Sequence, residues 1–292
     1  MPASGRAIAS GGVIRSAAQV LFHAVCRTEQ VHPEDYRERD RPKALESSRE
    51  FLRRMGGRLD VRGRSVLEVG CGSGALAVVL ARQGAKAVHG VDINRSTIEF
   101  ARDWLGREAP DVAGTVTYEA IGSFDDLRGR RFDAVVSKDS FEHLDDPEGF
   151  IRDVDRHIEP GGLLAVGFSP LWKSPYGGHL WHMTRFPWAH LVFPEKVIML
   201  ERRRFSVGEW DRAMRFEDTT GGLNRMTYAR FTGLMASTGY RRLYWATNVK
   251  PGSRTAALMG ALRRVPALRE YMTISVYGIW QKPAEPGMPQ QD

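Results

Sequence analysis

The 292-residue sequence predicts an α/β domain: a seven-stranded, mostly parallel sheet with helices on both faces and an insertion after the fifth strand. Three observations carry this. Short apolar runs alternate with helix-patterned stretches from residue 64 to residue 168, the rhythm of a parallel sheet covered on both sides. The first run feeds directly into a glycine-rich turn. The rhythm then breaks over residues 170–225 and resumes with one helix and two late strands.

The elements follow in order. Residues 64–69 (RSVLEV) read as a buried strand, and 75–82 as a helix stopped by Gly84. Residues 87–91 form a second strand ending at Asp92, followed by a helix over 96–105 with Gly106 after it. Strands three and four fall at 115–121 and 132–137. Asp146 and Pro147 open the next helix as N-cap and first-turn proline. Its apolar residues Phe150, Ile151, Val154 and Ile158 share one face, Pro160-Gly161-Gly162 ends it, and 163–168 is the fifth strand. A helix is expected at 227–237, with strands at 242–247 and 272–281. So long an irregular connection is more often functional than not, and 170–225 is expected to be a lid containing a helix near 195–203. The domain reading is a helical segment at 1–60, a core at 61–169, the insertion at 170–225, the returning core at 226–282 and a flexible tail at 283–292.

Composition narrows the class. With 42% hydrophobic and 26% charged residues the chain is an ordinary globular protein. No apolar run approaches the roughly 20 residues of a membrane span. Residues 17–25 are apolar but short and contain His23, and no small-residue cleavage pattern follows, so no signal peptide is expected. Two cysteines, Cys26 and Cys71, cannot form a disulfide framework and fit a reducing cytoplasm. The net charge of +7 is unevenly spread. Residues 61–169 carry 13 basic against 18 acidic side chains, whereas 240–270 carry 7 against 1. The basic excess is either a solvated surface or a funnel for an anionic substrate or acidic carrier protein. No nucleic-acid motif accompanies it.

The first turn reads Glu68-Val69-Gly70-Cys71-Gly72-Ser73-Gly74-Ala75. Glycine lets the backbone turn tightly and lets a ligand lie against it, and the next helix presents unpaired N–H groups. Asp92, about 20 residues on, suits the hydroxyls of a ribose. In an open α/β sheet the ends of these strands face one crevice, where Gly70–Gly74, Asp92, Ser123 and Asp139 meet. The turn also fits a dinucleotide fingerprint as Gly70-x-Gly72-x-x-Ala75. Glu68 argues the other way, because a carboxylate there suits a cationic amino-acid ligand and repels a pyrophosphate.

The resemblance now has its residues. VLEVGCGSG (66–74) and HGVDINRSTIEFAR (89–102) resemble the first two motifs of the class I, Rossmann-fold S-adenosylmethionine-dependent methyltransferases, and FDAVVSKDSFEHLDDPEGFIRDVDRHIEPGGLLAV (132–166) resembles their fourth-strand, helix and fifth-strand block. The resemblance covers roughly residues 62–169 and resumes weakly near the C-terminus. It implies S-adenosyl-L-methionine as cofactor, with Gly70, Cys71, Gly72 and Gly74 forming the cradle and Glu68 at the methionine end. It places Asp92 on the ribose and Ile93 on the adenine face. Ser123 and Phe124 stand where the family often has an acidic residue for the adenine amino group, and Asp125 is the alternative. Lys138 and Asp139 end the fourth strand beside the same crevice.

Because a sulfonium methyl is already activated, the protein must supply alignment and, for a hydroxyl acceptor, removal of a proton. His143 sits at the right end of the sheet, either as base or as an orienting group. The insertion offers His179 and His182 as further bases, with Trp172, Trp181, Trp188 and Trp210 as walls of a substrate site or as a small core of its own. His179 and His182 have metal-pair spacing, but no Cys, Asp or Glu lies near them in sequence, so no metal is expected. The expected reaction is O-methylation of a small molecule, free or carrier-bound, by a cytoplasmic monomer or homodimer. A nicotinamide-dependent oxidoreductase and a non-catalytic cofactor-binding module are the alternatives.

Overall fold

A computed structural model describes residues 16–26, 41–203, 213–219, 222–249 and 253–284. Two helices come first, α1 (Ala17–Val25), capped by Ser16, and α2 (Arg41–Arg54). The core then runs β1 (Ser65–Val69), α3 (Ala75–Arg82), β2 (Ala87–Asp92), α4 (Arg95–Glu108), β3 (Val116–Ala120), β4 (Phe132–Lys138), α5 (Pro147–His157) and β5 (Ile158–Phe168). Beyond it lie α6 (Ala189–Val192), α7 (Glu195–Arg202), α8 (Tyr228–Ser237), β6 (Arg241–Thr247), α9 (Arg254–Leu262), α10 (Arg269–Met272) and β7 (Val276–Gln281).

The seven strands form one sheet in the order β3-β2-β1-β4-β5-β7-β6. All pairings from β3 to β5 are parallel, and β7 runs antiparallel to both of its neighbours. The order reverses at β1, so the carboxyl ends of β1, β2 and β4 open onto one crevice. Continuously apolar strands explain the two covered faces. On one, α2, α3 and α4 pack Phe51, Leu76, Leu80 and Trp104 against the sheet. On the other, Phe150 of α5 and Phe231 of α8 meet Phe141, Phe168 and Trp280. A third apolar cluster joins Phe22 of α1 to Leu180, Met183, Ile198 and Phe216, with Trp172 packed against it. The segment after β5 therefore owns a small core, shared with the first helix. Trp188 is half-buried and Trp181 is 49% exposed, while Trp210 lies outside the described residues.

The helices and strands expected from residue 64 onward are present, with four corrections to their bounds and number. α4 passes through Gly106 to Glu108 because its buried stripe, Ile98, Ala101, Trp104 and Leu105, is already packed, and an exposed helical glycine costs only about 1 kcal/mol. α5 ends at His157, before Pro160-Gly161-Gly162, and those three belong to the start of β5. There Lys282 donates to the Asp155 and Ile158 carbonyls at 2.6 and 3.3 Å, supplying partners that the helix end lacks. The last strand starts at Val276 and not at residue 272, since 269–272 complete α10. α9, capped by Ser253, was not expected; it buries only Met259 and so leaves little apolar periodicity. The helix near 195–203 is α7, and residues 285–292 of the tail lie outside the described residues. Among the described residues no helix is long and apolar enough to cross a membrane.

Candidate active site

The glycine turn is fixed from two sides. The N–H groups of Gly70 and Cys71 donate to the Val91 carbonyl at 2.9 and 3.0 Å, tying the turn to β2. At Gly70, φ is +72° and a Cβ would lie 2.2 Å from Ser140 Oγ, so only glycine fits. At Gly74, φ is +82° and a Cβ would strike the Tyr118 hydroxyl, which donates to the Gly74 carbonyl at 2.6 Å. Gly72 differs: φ is +50°, but nothing lies within 4 Å of where its Cβ would stand. That open face is where a ligand can approach the backbone.

Asp92 closes the crevice on the β2 side. Its Oδ2 accepts from Gly72 N–H and its Oδ1 from Asn94 N–H, both at 2.9 Å, and each oxygen keeps a lone pair for a further donor. Ile93 is 86% exposed, a bare apolar surface beside that carboxylate. Glu68 is 3% exposed, and its Oε2 has no hydrogen-bond partner. Burial pushes its carboxyl up to about 8, against the opposing pull of the Lys138 ammonium and the Ala77 N–H. Cys71 is buried beside it, and burial raises its thiol with help from the Glu68 and Asp92 charges, which makes it unreactive packing.

On the third-strand side, Ser123 is exposed and starts a short 3-10 turn over Phe124–Leu127. Asp126, and not Asp125, holds this turn, accepting from Gly122 and Ser123 N–H at 2.8 and 3.2 Å. Asp125 lies 3.7 Å from Arg156, and Phe124 packs edge-on against Phe150.

At the end of β4, Lys138 pairs with Asp139 at 2.7 Å, and Asp139 takes a left-handed φ of +48°. Both line a cleft of about 710 Å3 together with Tyr277 at the start of β7 and Glu50, Phe51 and Arg54 of α2. Arg54 donates to the Tyr277 hydroxyl at 2.6 Å and to Glu50 at 2.9 Å. Sequence reasoning missed these α2 residues. They lie outside the recognisable motifs, and only the fold brings them to the crevice.

A short turn over Phe141–His143 follows β4. His143 Nδ1 donates to the Gly222 carbonyl at 2.7 Å, leaving Nε2 with the lone pair. The His143 and His179 rings stand perpendicular, 5.3 Å apart. Ligand-capable atoms of Glu142, His143 and His179 lie within 4.8 Å of one another. Burial, and the positive charge His143 would carry, push His179 down to about 3, so it is a neutral imidazole. Burial raises the Glu142 carboxyl well above its ordinary value, with the Asp139 charge adding to it. His182 is half-buried on the same segment as His179 but outside this cluster. The fold thus brings His179 to Glu142 and His143. The carboxylate that no sequence neighbour supplied comes from the β4 end.

Residues 36–199 match the family described as Methyltransferase domain. The ubiquinone biosynthesis O-methyltransferase of Neisseria meningitidis serogroup C is 37% identical over 121 residues, covering 41% of this chain and 49% of that protein. The protein of the same name from Alkalilimnicola ehrlichii is 36% identical over 116 residues, covering 39% and 44%. The chain thus spans about half the length of the curated relatives it matches. Among solved structures, an S-adenosylmethionine-dependent methyltransferase from Mesorhizobium loti superposes with a TM-score of 0.51 at 18% identity, over 82% of this chain and all of that one. The cyclase SpnF superposes at 0.52 and 17% identity, over 91% and 93%. These two likenesses are of fold alone. With over half its length matched to the domain and this sheet order behind the glycine turn, the chain belongs to the class I S-adenosylmethionine-dependent methyltransferases.

Proposed function

We propose that the chain methylates an oxygen atom of a small molecule, taking the methyl group from S-adenosyl-L-methionine. The observation that carries the cofactor side is Glu68, a buried carboxylate whose Oε2 has no protein partner, beside a turn with an open glycine face. An α-ammonium group satisfies such an orphan, and a pyrophosphate aggravates it, which disfavours the nicotinamide alternative. Residues 61–169 are read as the cofactor core and 170–225 as the substrate-side lid. In this reading Gly70, Gly72 and Gly74 receive the methionine and ribose portions, Glu68 the ammonium, and Asp92 the ribose hydroxyls. Ile93 lies on the adenine, with Ser123 and Phe124 at its edge and Lys138 and Asp139 near the methionine end.

When bound, S-adenosyl-L-methionine supplies a methyl group on a positively charged sulfur. The residues of the chain align the acceptor and handle its proton. The Nδ1–H of His143 is held by the Gly222 carbonyl, which leaves Nε2 to take the hydroxyl proton as the oxygen bonds to the methyl carbon and the carbon–sulfur bond breaks. In-line positioning is worth up to about 7–11 kcal/mol, and a base about 10²–10⁴-fold in rate. The names of the Neisseria and Alkalilimnicola relatives support oxygen as the acceptor atom. A carrier-bound or anionic acceptor suits the basic stretch 240–270. A cytoplasmic monomer or homodimer completes the reading.

The test is calorimetric titration with S-adenosyl-L-methionine and NADH, followed by incubation with methyl-labelled cofactor and a panel of phenols. Binding of the first alone, and label passing to a phenolic oxygen, is expected. Binding of NADH alone overturns the assignment.

A further inference from the structure

Glu142, His143 and His179 form a site that the methyl-transfer reading does not fully use. Glu142 is 4% exposed, and its Oε2 lacks a partner, as does the buried Nε2 of His179. Leaving such a group unsatisfied costs about 1–3 kcal/mol, and two orphans at one spot call for a common partner. The third member is prepared for the same role. His143 gives its Nδ1–H to the Gly222 carbonyl, the arrangement that fixes the tautomer and orientation of a metal-binding imidazole. All three groups offer ligand atoms within 4.8 Å of one another.

We propose that these three side chains bind a divalent transition-metal cation of the zinc class. Two imidazole nitrogens and one carboxylate oxygen form the donor set of an open zinc site, and they disfavour magnesium and calcium, which take oxygen ligands. Ligand atoms around such an ion lie roughly 3.4 Å apart, so side-chain shifts of about 1 Å close the set. The ligands come from two places in the chain. Glu142 and His143 follow β4, whereas His179 and the Gly222 that orients His143 belong to the stretch between β5 and α8. The cation therefore clasps that stretch to the core.

For its catalytic consequence the inference rests on the methyl-transfer reading. With the cation in place both imidazoles are ligands, so the cation takes over from His143 the activation of the acceptor, whose hydroxyl enters the open position. Its proton passes to water and the electron pair stays on oxygen, which attacks the methyl carbon as the carbon–sulfur pair leaves with sulfur.

The experiment uses the full chain, stripped with EDTA and titrated with Co2+ while its visible absorption is recorded, then displaced with Zn2+. One Co2+ per chain with the ligand-field bands of a low-coordinate site is expected. His179→Ala and Glu142→Gln should each weaken binding by at least about tenfold, and His23→Ala on α1 should leave it unchanged. Absence of a Co2+ spectrum in the stripped wild-type protein overturns the proposal, and no variant needs to fold for that result. An unchanged affinity in His179→Ala overturns the clasp. S-adenosyl-L-methionine binding is measured on the same stripped sample. Cofactor bound without Co2+ refutes the cation alone, and Co2+ bound without cofactor refutes the methyl-transfer reading alone.

Discussion

Gly72 N–H donates to Asp92 Oδ2 at 2.9 Å, so the turn after β1 and the acidic end of β2 form one unit. The carboxylate that would receive a ribose also holds the most open glycine of the cradle. Replacing Asp92 with alanine removes both functions. Cofactor affinity should fall by about 1.5–3 kcal/mol, the worth of hydrogen bonds to a charged group. Calorimetry checks this, and an unchanged dissociation constant removes Asp92 from the site.

Gly72 and Gly74 separate binding from folding. A methyl group at Gly74 meets the Tyr118 ring in a left-handed backbone, so Gly74→Ala should lower the melting temperature markedly. Gly72→Ala meets nothing within 4 Å and should cost only about 1–2 kcal/mol of backbone strain. In the proposed site its methyl projects into the ligand's approach, so cofactor affinity should drop more than tenfold. If thermal scans and titrations show the two variants failing alike, the open face at Gly72 is not a binding surface.

Much of this was legible in the sequence, for identifiable reasons. Strands buried on both faces leave continuous apolar runs, and the turn carries its glycines in order, so β1 to β5 and the Glu68–Gly74–Asp92 constellation could be read from the residues. What could not be read depends on distant pairings. Nothing near residues 179–182 announces a carboxylate, because Glu142 arrives from the far side of α5 and β5. Arg54 and Tyr277 are 223 residues apart and meet only because β7 inserts between β5 and β6. Asp125 and Asp126 look interchangeable in sequence, and turn geometry alone makes Asp126 the acceptor for the Gly122 and Ser123 N–H groups.

Glu68 gives a signed pH dependence. Its carboxyl is raised in the folded protein from 4.5 to about 8, so the folded state binds one more proton than the unfolded state within that window. Its contribution to the stability of the cofactor-free protein is complete at low pH and is lost as pH rises toward about 8. Pairing with an ammonium group requires the ionised form, so cofactor affinity should rise with pH across the same window, by at most about tenfold per unit. Glu68→Gln should flatten both profiles. Calorimetry in two buffers of different ionisation enthalpy counts the released proton, and release of none in the wild type contradicts the pairing.

His143 and His179 stand 5.3 Å apart at right angles, and their variants report on how the acceptor is activated. If His143 acts as a metal-free base, His143→Ala should slow single-turnover methyl transfer by about 10²–10⁴-fold, with binding of S-adenosyl-L-methionine unchanged. His179→Ala should then have a smaller effect, since the burial that keeps its imidazole neutral also leaves it a poor proton acceptor at neutral pH. If the two imidazoles act together on one cation, both variants should slow the step similarly, and added Zn2+ should stimulate the wild type but neither variant. Full single-turnover rates in both variants would show that alignment alone carries the reaction, and would take the histidine pair out of the chemistry.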